Sequence, residues 1–186
     1  MPPNPLPFKI QKQQCFEWCW AAVVSSIAAF VNSAVQPEQC EVVDSEAFSP
    51  HDPSPGCCKA TNSCSNNPNS ICNRTCAIGT ALHDYNLTQN PTGQVPTSRD
   101  FATIKQQIDL CCAVVIQLVD CTNPALAHVM VVTGYSGTDK LFVADPADGS
   151  ASHTYSYAEL LNPHPTNGNH SSWRLAAFFT TVPGQC

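Results

Sequence analysis

Apolar residues recur at helical spacing from Trp18 to about Ser33, where Ala21, Val24, Ile27, Ala28 and Val31 form one stripe. The same spacing predicts a helix over Ala77 to Tyr85, with Ile78, Leu82 and Tyr85 on one side. A further helix is predicted from Phe101 to about Leu110, carried by Phe101, Ile104 and Ile108 and capped by Ser98-Arg99-Asp100. Cys40 to Val43 reads as a short helical piece. Past residue 113 the pattern changes to β-branched runs: Ala113 to Val119, Ala127 to Tyr135, Leu141 to Asp145 and Leu175 to Val182. Tyr155 to Leu161 reads as a short helix or turn, and Pro2 to Pro7 as an extended lead-in. Helices first and an antiparallel sheet after them make an α+β plan, with an N-terminal helical layer packed on a C-terminal sheet. At 186 residues the expectation is one domain spanning 1–186, with a disulfide-rich insertion at about 40–76.

The predicted central helix begins inside Gln13-Gln14-Cys15-Phe16-Glu17-Trp18-Cys19-Trp20-Ala21-Ala22. A thiol is a strong nucleophile only as thiolate, and the unpaired N–H groups of a helix start favour that anion at Cys19. Gln13, six positions upstream, carries an amide able to turn toward an oxygen that becomes negative during acyl transfer. Position alone equally allows a buried structural cysteine between two core tryptophans. The downstream chain adds the missing residue types. His128 lies near the start of one predicted strand and Asp145 at the end of the next, joined by a hairpin through Tyr135 to Lys140. A cysteine nucleophile needs a base, and the base needs a group that fixes its tautomer. A nucleophile at a helix start and a base on the sheet place the site in the cleft between the two layers. Trp18 and Trp20 are available to line it, although a large indole is more often simply packed. His51, His83, His153, His164 and His170 lack such a context and read as solvated or turn-bound.

These residues resemble the papain-like cysteine peptidases. The carrying features are Gln13, the run Trp18-Cys19-Trp20-Ala21-Ala22, His128 ahead of a Val-rich strand with Gly134-Tyr135, and Asp145-Pro146. The pattern is most similar to small members typified by plant-pathogen effector proteases and bacteriocin leader-processing peptidases. The resemblance implies Cys19 as nucleophile, His128 as general base and then acid, Asp145 as its orienter and Gln13 in the oxyanion hole. It implies peptide hydrolysis through a thioester, with no cofactor and no metal. Acyl transfer to an amine by the same residues is the rival within enzymes. A disulfide-rich secreted binding protein or toxin with a vestigial site is the rival outside them. The cysteine-rich stretch between Cys40 and Cys76 departs from the best-known members.

Net charge is −6, and the eight Lys and Arg are scattered, unlike the clustered basic face of a nucleic-acid binder. The longest apolar run, Cys19 to Val31, is interrupted by Ser25 and Ser26 and is too short to span a bilayer. The expected partner is therefore a protein or peptide substrate, with no nucleic acid, no membrane span and a monomer favoured.

Twelve cysteines in a chain of this length point to disulfides and an oxidising, extracellular compartment. Ser45 to Asn73, dense in Pro, Ser, Asn and Cys, has too little apolar material to offset its ordering entropy, so Cys57, Cys58, Cys64, Cys72 and Cys76 are expected to be crosslinked. Zinc is the alternative for these residues, but they lack a doubled Cys-x-x-Cys pattern. Cys15 and Cys19 also lack the Cys-x-x-Cys spacing of a thiol–disulfide exchanger, so Cys15 is expected to anchor the loop that carries Gln13. With Cys19 free, eleven cysteines remain, so at least one more is expected unpaired. One of Cys111 and Cys112 is expected simply to be buried. Met1-Pro2-Pro3-Asn4-Pro5 shows neither a basic n-region nor an apolar h-region, which leads to the expectation of a mature form with an added methionine. Sequons begin at Asn73, Asn86 and Asn169.

Overall fold

The structure, a computed structural model, describes residues 4–47, 56–59, 64, 70, 72–97, 99–162 and 172–186. The elements run α1 (Cys19–Val31), α2 (Gln39–Ala47), α3 (Ile78–Asp84), α4 (Asp100–Asp109), β1 (Val114–Asp120), β2 (Ala127–Ser136), β3 (Lys140–Asp145), β4 (Ser150–Ser156), α5 (Tyr157–Leu161) and β5 (Trp173–Thr180). The strands form one antiparallel sheet in the order β4-β3-β2-β1-β5. This is the α+β plan of the hydrophobic pattern. His51, His164, His170, the Asn169 sequon, the Ser98 cap position and most of the Ser45 to Asn73 stretch lie outside the described residues.

α1 packs against β2, with α2 and α3 on its other sides. Only Ala29 and Val31 of its thirteen residues escape full burial. A helix enclosed on every side needs apolar or small residues all round, and Ala-Ala-Val-Val-Ser-Ser-Ile-Ala-Ala supplies them. Its serines are the exceptions. Ser26 Oγ donates to the Ala22 carbonyl at 2.6 Å and accepts the Gln11 N–H at 2.9 Å, while Ser25 Oγ is buried with no partner among the described residues.

The sheet differs from the sequence reading at one edge. Ser150–Ser156 is a strand, β4, and only Tyr157–Leu161 is helical. A polar Ser-Ala-Ser-His-Thr-Tyr-Ser strand lies at the sheet border, where one side carries no ladder. At the centre, the β2–β3 register shifts between Val132 and Gly134. There the N-terminal segment reaches the strand: Leu6 N–H donates to the Thr133 carbonyl at 2.7 Å, and the Asn4 side chain pairs with the Tyr135 backbone. A Cβ on Gly134 would meet Asn4 Oδ1 at 2.6 Å and Pro5 Cα at 2.8 Å, so the crossing requires glycine.

Four disulfides join Cys15 to Cys64, Cys40 to Cys58, Cys57 to Cys72 and Cys111 to Cys186. Cys19, Cys76, Cys112 and Cys121 are free. Cys15 anchors the Gln13 loop as expected, and Cys112 is the buried member of the 111/112 pair. Cys76 corrects the expectation of a crosslink. It lies against the Glu46 carboxylate, 3.8 Å away, and burial followed by that negative charge pushes its thiol up to about 11.

Candidate active site

Cys19 opens α1 and is 9% exposed. Trp18 occupies the N-cap position and makes no side-chain cap, so the first N–H groups of the helix are not covered by a Ser or Asp oxygen. A turn closed by the Trp18 N–H on the Cys15 carbonyl, 3.1 Å, leads into the helix.

His128 lies on β2 opposite Leu118 of β1. The β2–β3 register pairs Val131 with Ala144, which sets Asp145 opposite Met130 and diagonal to His128 on the same sheet face. The diagonal closes in a hydrogen bond of 2.7 Å between His128 Nε2 and Asp145 Oδ1. The Ala147 N–H donates to the same carboxylate oxygen at 2.8 Å, and the Gly149 N–H donates to the Asp145 carbonyl at 2.9 Å. The tight turn after β3 therefore fixes the carboxylate. With Nε2 committed to Asp145, Nδ1 is the ring nitrogen left for the Cys19 thiol, which lines the same cleft.

Burial alone would pull the His128 pKa down. The hydrogen bond to Asp145 and the electrostatic pull of the Cys19 sulfur and the Asp145 carboxylate outweigh it and push the imidazole up to about 9. Trp173, at the start of β5, meets the His128 ring edge-to-face with centroids 6.4 Å apart. The histidine and aspartate side chains are 14% and 6% exposed, respectively.

Gln13 lines the same cleft as Cys19 and His128. Its Nε2 donates to the Phe16 carbonyl at 2.7 Å and to the Cys15 carbonyl at 3.0 Å, and its Oε1 is buried with no partner among the described residues. An amide facing an oxyanion from this position exchanges one of those carbonyls for the new acceptor.

The cleft encloses about 240 Å³. Phe16 and Leu126, 74% and 44% exposed, are two of the few large apolar side chains left open to solvent, and both line it. Glu17, Ala147 and Trp173 also contribute to its walls. Sequence reasoning missed these lining residues, because their only signal is proximity created by folding. Trp18 and Trp20 do not line the cleft; each is 1% exposed and donates its indole N–H to the backbone of residues 72 and 74. Asp148 does not reach His128 and instead bonds His153 at 2.8 Å. His83 bonds its neighbour Asp84, at 3.4 Å. Glu38, Cys40 and Cys58 converge closely enough to suggest a metal site, but the two sulfurs are joined to each other and offer no thiolate.

The arrangement juxtaposes a thiol at a helix start, an imidazole held by a buried carboxylate, and a nearby amide in an open, mostly apolar cleft. Such a set can form and break an acyl-thioester.

The sequence model of the Peptidase_C39 like family matches residues 5–174. No curated protein matches the chain by sequence. Among solved structures, a Bacillus anthracis protein described as a candidate C39-like peptidase is 13% identical with a TM-score of 0.48, over 97% of this chain and 96% of that one. Matched over most of its length, the chain belongs to the Peptidase_C39 like family of the papain-like cysteine peptidases.

Proposed function

We propose that this chain is a secreted cysteine endopeptidase that hydrolyses peptide bonds through Cys19, His128 and Asp145. The observation that carries the reading is the placement of His128, held by Asp145 at 2.7 Å on Nε2 and sharing the cleft with Cys19, whose sulfur acts electrostatically on the imidazole. The scissile carbonyl enters the cleft and is attacked by the Cys19 sulfur. The oxyanion is held by the Cys19 backbone N–H and the Gln13 amide. His128 gives its proton to the departing amine, leaving a thioester on Cys19. It then takes a proton from water, which attacks the thioester and releases the acid product. Asp145 keeps the ring oriented through both halves. No cofactor enters these steps.

Phe16 and Leu126 favour a substrate that brings apolar side chains to the cleft walls, because their exposed surface is removed from water on binding. Secretion is supported by four disulfides, which persist in oxidising compartments. Among the described residues, no helix is long and apolar enough to cross a membrane.

The test is cleavage of a diverse peptide library, with products identified by mass and an added amine nucleophile in a parallel reaction. Internal cleavage by the native chain and none by Cys19→Ala is the expected result. Products capped by the amine in preference to water would replace hydrolysis with acyl transfer. Binding of peptides without any cleavage would leave a non-catalytic protein.

A further inference from the structure

Three donors that bracket Cys19 end on one short stretch of chain. The Glu17 N–H donates to Asn73 Oδ1 at 3.1 Å, the Trp18 indole N–H to the Cys72 carbonyl at 2.7 Å, and the Trp20 indole N–H to the Arg74 carbonyl at 3.0 Å. Both indoles are 1% exposed, so losing either acceptor strands a buried donor.

Residues 72–74 belong to no helix or strand. Their position comes from crosslinks to elsewhere. Cys72 is bonded to Cys57, whose N–H donates to the Asp44 carboxylate on α2. The Arg74 guanidinium donates to the Glu46 carbonyl, also on α2, at 3.1 Å. On the other flank, Cys15–Cys64 fixes the loop that leads into Cys19.

We propose that Asn73 is a positioning residue and that the disulfide-anchored backbone of Cys72 to Arg74 clamps the Cys19 loop, so that the site works only while Cys19 is reduced and Cys57–Cys72 is oxidised. This rests on the reading of Cys19 as nucleophile. The two requirements oppose each other. A dithiol reductant attacks one sulfur of Cys57–Cys72 as thiolate, forming a mixed disulfide. Its second thiol then displaces the protein sulfur and closes a cyclic disulfide. Two electrons pass to the protein, which ends with two thiols, and the reductant's two protons balance them. The stretch bearing the three acceptors then loses its covalent tie to Cys57 and keeps the Arg74 contact with Glu46. A shift of about 1 Å in a reacting atom costs on the order of 10²-fold in rate. Activity should therefore rise with dithiol at low dose, as Cys19 is freed from oxidation, and fall at higher dose while the fold persists.

The test follows Cys19 itself. The rate of its alkylation by iodoacetamide at pH 5.5, located by peptide mass mapping, is measured with kcat, KM and the thermal midpoint. The proteins are the native chain, Asn73→Ala and the double variant Cys57→Ala/Cys72→Ala. In Asn73→Ala, alkylation and kcat should both fall by roughly tenfold or more with KM little changed and the midpoint within a few degrees. The double variant should fall further. If it does not fold, Asn73→Ala and the dithiol titration of the native chain still decide. Native alkylation and kcat in Asn73→Ala would overturn the clamp. So would a titration in which Cys57–Cys72 is lost by mass mapping while Cys19 reacts as before. A native chain that cleaves no peptide, yet whose Cys19 reactivity tracks Cys57–Cys72, would instead remove the hydrolase reading and leave the clamp standing.

Discussion

The Gln13 N–H donates to the Pro146 carbonyl at 2.8 Å, joining the loop ahead of α1 to the chain leaving β3. Pro146 follows Asp145, so this bond fixes the glutamine backbone relative to the carboxylate that holds His128. A backbone bond across the two layers makes the distance between amide and imidazole a property of the main chain. The side chains need only choose their rotamers.

Removing single side chains should separate the roles. Cys19→Ala should abolish peptide cleavage, and His128→Ala should lower kcat on the order of 10²–10⁴-fold. Asp145→Ala should be milder than His128→Ala, because the imidazole remains while losing its fixed tautomer. Asp148→Ala should change kcat less than about threefold, since Asp148 touches His153 and not the site. Steady-state kinetics on one peptide measures all four, and a crippled Asp148→Ala beside a mild Asp145→Ala would reassign the orienting carboxylate.

His128 is raised from 6.5 to about 9, so it keeps its proton across neutral pH. As proton donor to the leaving amine it should support cleavage up to about 9 and lose it above that pH. A folded-state pKa above the unfolded one also means that the charged histidine stabilises the fold fully below about 6.5, with the contribution lost as pH rises toward about 9. Thermal midpoints should therefore decline over that interval, and less so in His128→Gln. Asp145→Asn removes a negative partner and should move the alkaline limb of kcat to lower pH.

Phe16→Ala and Leu126→Ala should each raise KM by several-fold to about tenfold, with smaller effects on kcat, because each removes apolar surface that a bound peptide would cover. Both side chains are exposed in the free protein, so stability should change little. A fall in kcat at unchanged KM would mean that they act on the reacting groups and not on the substrate.

Thiol counting checks the crosslinks. The unfolded, unreduced chain should present four thiols, and alkylation followed by mass mapping should assign them to Cys19, Cys76, Cys112 and Cys121. In the native protein at mildly acidic pH, Cys19 should react before Cys76 and Cys112, since burial raises both of those thiols. Removing Cys111–Cys186 by double substitution should cost about 2–4 kcal/mol in denaturant unfolding and leave kcat near its native value, because neither residue lines the cleft.

The helices and the strands bearing His128 and Asp145 were legible because each carries its own periodicity. Residues such as Ile104 and Ile108 repeat at helical spacing, and Val129 to Val132 form a continuous buried run. β4 was not legible, because an edge strand of Ser, Thr and His presents no apolar alternation to read. α2 extends well past Val43, through a polar turn held to residues 57 and 58 by Asp44 and the Cys40 disulfide, and a local pattern does not carry such contacts. The same holds at the site. Residue types and chain order pointed to Cys19, His128 and Asp145, whereas Trp173 and Leu126 reach the cleft only through β5 and the β1–β2 connection.

The division of the site between the helical and sheet layers also bears on biosynthesis. A ribosome delivers Cys19 long before His128, and the thiol meets an imidazole only after β2 and β3 have paired. On the proposed reading, the nascent chain until then carries a nucleophile without its base, alongside the eight cysteines destined for disulfides. On that reading, closure of the sheet over α1 brings the imidazole to the sulfur and buries it against mispairing, so chemical competence would be a late marker of correct folding.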